Sequence, residues 1–150
     1  MPYIKIWIHL IWTTKNRNNL IGKDLKPKLL EHIKENAKSK NIYIDTMNCI
    51  SDHVHALVSM KSDQSISKIA GLIKGESSHW INDKKYSNYK FEWQEEYIAV
   101  SVSESVVPKV REYIENQEKH HIKKTFMDEY NEFMENYGFK MIQQSAAKAT

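Results

Sequence analysis

From Tyr3 to Trp12 the chain alternates in polarity: Ile4, Ile6, Ile8, Leu10 and Trp12 fall on one side, with Tyr3, Lys5, Trp7, His9 and Ile11 on the other. Period-two alternation predicts a β-strand whose wholly apolar side faces the core and whose second side is mixed. After a polar loop from Thr13 to Gly22 the period changes. Leu25, Leu29, Leu30 and Ile33 predict a helix from Asp24 to Lys40, with Asn41 as a left-handed cap. Two strands follow, Ile42 to Ile50 and His53 to Met60, joined at a tight turn marked by Asp52, and these read as a hairpin. In the second of them Val54, Ala56, Val58 and Met60 share an apolar face; His53, His55, Leu57 and Ser59 share the other. The apolar face calls for helices packed on it, which leaves the histidine face at a surface.

Ile66, Ile69, Ala70, Ile73 and Trp80 predict a second helix from Ser65 to about Asn82, with Lys68, Lys74, Ser77 and Ser78 on a basic, hydroxyl-bearing margin. A short strand is expected around Tyr97 to Val102. The next helix should run from Ser105 to about His121, capped by Ser103 or Ser105 and tolerating Pro108 in its first turn. A last helix, Lys123 to Tyr137, carries Phe126, Tyr130, Phe133, Met134 and Tyr137 as an aromatic stripe, expected as core or dimer contact. The order β-α-β-β-α-β is the ferredoxin-like (RRM-like) plan. It is an α+β fold whose antiparallel sheet has its first and third strands in the centre, here with a C-terminal helix added. Residues 1–140 read as a single domain and 141–150 as a disordered tail.

Composition narrows the class. At 150 residues with 41% hydrophobic content the chain can bury a core without disulfides, and its one cysteine, Cys49, fits a reducing compartment. Met1 to Trp12 carries Lys5 and lacks a small-residue cleavage site, and no run is long enough to span a membrane, so a soluble, cytoplasmic protein is expected. Lys and Arg outnumber Asp and Glu by 22 to 19. That tilt permits a nucleic-acid partner without demonstrating one.

Two imidazoles on one face of a strand, roughly 7 Å apart between Cα atoms, can close on one divalent metal ion. Two satisfied or solvated histidines are the plain alternative for His53 and His55. Tyr113 and Gln117 lie four apart and share a helical face, with Val107, Val110 and Ile114 as the apolar stripe. If that helix crosses the histidine face of the sheet, a phenol and a carboxamide arrive beside the metal, an arrangement suited to phosphoryl transfer. Otherwise the tyrosine packs and the glutamine is solvated.

Six motifs in order carry a resemblance: His-Leu-Ile-Trp-Thr-Thr-Lys-Asn-Arg at 9–17, Asp-His-Val-His at 52–55, Gly-Leu-Ile-Lys-Gly-Glu-Ser-Ser at 71–78, Trp-Gln at 93–94, Ser-Val-Ser at 101–103 and Tyr-Ile-Glu-Asn-Gln at 113–117. The chain resembles single-tyrosine transposases of the HUH nuclease superfamily, of the insertion sequence 200/605 type. The resemblance implies that His53, His55 and Gln117 hold a divalent metal, Mg²⁺ or Mn²⁺, with Zn²⁺ also open, and that Tyr113 is the nucleophile. It implies a homodimer acting on single-stranded DNA with a hairpin, the tyrosine able to work in trans on the partner's site. Glu96 departs from the small residue expected before Tyr97, which bears on loop geometry rather than on catalysis.

A phenol has a pKa of about 10, so a 5′-phosphotyrosine link can later be expelled by an incoming 3′-hydroxyl. The base that takes the phenol proton is open between water, the substrate phosphate and a neighbour such as His120. His9 reads either as a support for the metal histidines or as simple packing. Lys15, Arg17, Lys68 and Lys74, with Lys61, Lys119, Lys123 and Lys124, are the candidate phosphate contacts. Two other readings stand beside the transposase: a domesticated relative that cleaves and rejoins single-stranded hairpin repeats, and a non-catalytic ferredoxin-like nucleic-acid binder.

Overall fold

Strand β1 (Ile6–Thr13) leads to helix α1 (Leu25–Ser39), then to the hairpin β2 (Tyr43–Cys49) and β3 (His53–Met60), helix α2 (Ile66–Lys84), strand β4 (Ile98–Val102) and helix α3 (Val107–Glu115). These elements come from a computed structural model that describes residues 3–119 and residues 128, 131, 132 and 135. The chain divides into two units, residues 1–117 and 118–150, and all seven elements belong to the first. The sheet order is β2-β3-β1-β4 with every neighbouring pair antiparallel, so β1 and β3 are central as the ferredoxin-like plan requires.

One face of the sheet carries the main core. Ile8, Leu10 and Trp12 of β1 and Val54, Ala56 and Val58 of β3 meet Leu29 and Ile33 of α1 and Ile69 and Ile73 of α2. Ile4 and Ile6, expected in this core, are exposed by 36% and 46%. The reason is positional: β1 begins at Ile6, paired with the last residue of β3, so neither side chain lies under a helix. Ser77, expected on the polar margin of α2, is fully buried. Its hydroxyl is satisfied there, donating to the Ile73 carbonyl at 2.6 Å and accepting from Trp93 Nε1 at 2.9 Å.

The second face is covered as well, which corrects the expectation of a surface. Leu57 and Val102 pack against Val107, Val110 and Ile114 of α3, with Trp7 beside them, so the short apolar stripe of that helix covers apolar ground on the histidine face. Neither candidate serine caps α3. The chain enters it through a 3₁₀ turn at Glu104–Val106, where Ser103 makes no side-chain cap and Ser105 lies inside the turn; Val106 is the N-cap, with Pro108 in the first helical turn. Glu104 accepts from Trp7 Nε1 of β1, tying that turn to the sheet. Asn41 does adopt the left-handed conformation, φ 61°. The expected helix 105–121 is interrupted: α3 ends at Glu115, Asn116 makes a turn, and residues 117–119 are helical again. His120 and His121 lie outside the described residues. So do the aromatic stripe of 123–137 and the tail from Met141; of that helix only residues 128, 131, 132 and 135 are described, and all four are helical.

Candidate metal and tyrosine site

The β1–β3 register pairs Ile11 with His55, Thr13 with His53 and His9 with Leu57, which puts His9, His53 and His55 on the α3 face of the two central strands. All three imidazoles are buried, none exposed by more than 1%. Buried imidazoles need oriented partners. Asp52 Oδ1 lies 2.8 Å from His53 Nδ1, and His9 Nε2 lies 2.9 Å from His55 Nδ1. With both Nδ1 atoms so engaged, Nε2 is the nitrogen through which each ring of the pair would coordinate a cation. The two rings stand 5.1 Å apart between centroids at 63°.

Helix α3 brings the other half. The Tyr113 ring lies edge-on to His55 at 5.8 Å and to His9 at 6.1 Å. Gln117, one turn further on, is fully buried; its Nε2 donates to the Tyr113 carbonyl at 3.2 Å, and its Oε1 has no hydrogen-bond partner among the described residues. A buried, unsatisfied carboxamide oxygen costs about 1–3 kcal/mol unless something fills it. Two imidazole nitrogens and one neutral oxygen make a donor set that fits a divalent cation such as Mn²⁺ or Mg²⁺. Among the described residues no group of three or more His, Cys, Asp and Glu side chains could hold a metal.

Sequence reasoning missed the ties that seat α3. Arg111 donates to both oxygens of Asp45 on β2, at 2.8 and 3.1 Å. The Arg111 hydrogen bond holds the Asp45 carboxyl below its usual pKa, against a smaller opposing push from burial. Asn48, also on β2, donates through Nδ2 to the carbonyls of Ile114 and Glu115. No periodicity or motif marks Asn48 or Asp45; both sit on an edge strand and gain meaning only from what packs across it.

The candidate phosphate contacts do not form one group. Thr14 pairs with Trp93, which brings Lys15 to the 90–95 stretch, and there Lys15 and Lys74 line one cleft of about 600 Å³ with Ser78, His79 and Trp93. Lys74 Nζ donates to the carbonyls of Glu95 and Glu96, and burial, partly opposed by Glu95, lowers its pKa. Lys68 lines a separate hollow with Lys40 and Lys61. Arg17 closes the 3₁₀ turn Lys15–Arg17 with a positive φ of 54°.

Residues 3–117 match the family model described as Transposase IS200 like. The ISDra2 transposase TnpA of Deinococcus radiodurans is 27% identical over 116 residues, spanning 73% of this chain and 81% of the relative. The transposases for insertion sequence element IS200 of Salmonella typhimurium and Salmonella typhi are each 25% identical over 115 residues, spanning 73% of this chain and 74% of theirs. Among solved structures, a transposase from Deinococcus radiodurans superposes with a TM-score of 0.62 at 23% identity, covering 77% of this chain and 93% of that one. A REP-associated tyrosine transposase bound to a REP hairpin gives a TM-score of 0.62 at 17% identity, covering 81% and 72%. These two likenesses speak for the fold.

Proposed function

Because the chain belongs to the IS200-like transposase family, we propose that it cleaves and rejoins single-stranded DNA through Tyr113. The observation that carries this reading is the Tyr113 ring set edge-on against the buried His55 of β3 and His9 of β1. In the step we infer, Tyr113 Oη loses its proton and attacks a backbone phosphorus; a new P–O bond to tyrosine forms as the bond to the 3′ oxygen breaks. The products are a 5′-phosphotyrosine and a 3′ oxygen that takes up a proton to become a free 3′-hydroxyl. Because the phenolate leaves far more readily than a sugar alkoxide, attack by another 3′-hydroxyl reverses the step on a new strand without a nucleotide triphosphate.

His53, His55 and Gln117 are the residues we assign to hold Mg²⁺ or Mn²⁺, which would draw charge from a non-bridging phosphate oxygen in the transition state. Asp52 and His9 fix the orientation of the two imidazoles. Lys15, Arg17, Lys68 and Lys74 are assigned to the phosphate backbone, where they add salt-dependent affinity with little base discrimination. The substrate we infer is a hairpin-bearing single strand, and the working assembly a cytoplasmic homodimer in which the tyrosine can serve the partner's site. Transposition of an element is favoured over processing of dispersed repeats because the sequence relatives at 25–27% identity are element transposases.

The test uses end-labelled single-stranded DNA from the sequence flanking the gene, with and without Mg²⁺ or Mn²⁺, resolved on a denaturing gel. A covalent protein–DNA adduct is expected that needs metal and vanishes in Tyr113→Phe and in His53→Ala. Binding without any adduct under either metal would replace this reading with that of a nucleic-acid-binding module.

A further inference from the structure

An α-helix leaves its last four carbonyls without partners of its own, so whatever satisfies them decides where it stops. In α3 all four are accounted for. The Glu112 carbonyl accepts from the Asn116 backbone N–H at 3.0 Å, and the Tyr113 carbonyl from the Gln117 side chain. The carbonyls of Ile114 and Glu115 accept from Asn48 Nδ2, at 3.0 and 3.2 Å. Asn48 is itself held by the Cys49 N–H, which donates to its Oδ1 at 2.9 Å, and it stands directly across from His55 in the β2–β3 register.

A helix that continued would offer the Ile114 and Glu115 carbonyls to N–H groups four residues on, and the Tyr113 carbonyl to the Gln117 backbone. Asn48 takes the first two. The Tyr113 carbonyl is then met by Gln117 Nε2, and this leaves Oε1 as the atom the buried carboxamide can offer. We propose that Asn48 is a positioning residue for the reaction: by ending α3 at Glu115 it turns the Gln117 carboxamide so that nitrogen faces the tyrosine carbonyl and oxygen faces the cation. This rests on the assignment of Tyr113 and Gln117 made above.

The experiment is a double-mutant cycle on Mn²⁺ affinity, measured by calorimetry on the protein without DNA, with adduct formation as a parallel readout. Asn48→Ala is expected to weaken Mn²⁺ binding about tenfold, the scale on which residues that orient metal ligands act. Gln117→Ala should weaken it at least as much, and adding Asn48→Ala to Gln117→Ala should change it little further, since the two act in series. Asp45→Asn loosens the same strand–helix contact at another point and should lower the melting temperature while leaving Mn²⁺ affinity within about twofold, an allowance for small indirect effects at sites without shared partners. Wild-type Mn²⁺ affinity in Asn48→Ala, independent effects in the cycle, or an equal loss in Asp45→Asn would each overturn the role of Asn48 while the tyrosine adduct of the wild type still stood. Absence of metal-dependent adduct in the wild type would instead remove the assignment of Tyr113 and this inference with it.

Discussion

Asp52 and His9 decide which nitrogen His53 and His55, the proposed metal ligands, can present. A carboxylate 2.8 Å from His53 Nδ1 keeps the ring proton on that side, and His9 must accept at Nε2 for His55 to carry its own proton on Nδ1. Removing the charge at Asp52 frees the tautomer without opening a cavity. Asp52→Asn is therefore expected to weaken Mn²⁺ binding about tenfold with the fold intact, read by calorimetry alongside circular dichroism. The two histidines, the tyrosine and the glutamine assigned above under the proposed function stand out in the chain because spacing and motif both mark them. His9 was legible only as a position on a mixed face. That its ring reaches His55 depends on a register between strands 46 residues apart, which no local pattern encodes.

At the scale of the elements, the strands and helices follow from periodicity, and the errors fall where one element must find another. The histidine face of β3 reads as open because it holds a single leucine in its middle, yet that leucine completes the cluster under α3. The break in the helix at Asn116 was not expected, and the side chain that meets the last carbonyls of α3, Asn48, comes from a different strand. The Asp45–Arg111 pair gives a pH signature. Asp45 has a lowered pKa in the folded state, so its contribution is complete above the unfolded value of about 3.9 and is lost as pH falls through the folded value. The difference in melting temperature between wild type and Asp45→Asn should be largest near neutrality and shrink steadily below about pH 4. Lys85, which ends α2 at φ 56°, is a separate case. Lys85→Gly should raise stability by about 1 kcal/mol in urea unfolding, because glycine bears no cost in that region.

For the whole molecule, three of the four proposed phosphate contacts, Lys15, Lys68 and Lys74, fall in two places rather than one. Lys15 and Lys74 share the cleft beside Trp93, and Lys68 stands with Lys40 and Lys61 in another hollow. If all contact phosphate, Lys15→Ala and Lys68→Ala should each lower the slope of log K against log salt by about 0.7 for a single strand, and their effects should add. A Lys68→Ala protein with an unchanged slope would confine the DNA path to the Lys15 cleft. The two halves of the reaction centre also rest on unequal foundations. The histidines belong to β3, hydrogen-bonded on both sides at the middle of the sheet, whereas the tyrosine rides on a nine-residue helix too short to persist alone. Amide exchange follows such differences in local opening. Deuterium should therefore reach the backbone of α3 well before that of His53 to Val58, and the tyrosine proposed as the nucleophile would be free to leave the histidines and return while the strand that bears them stays closed.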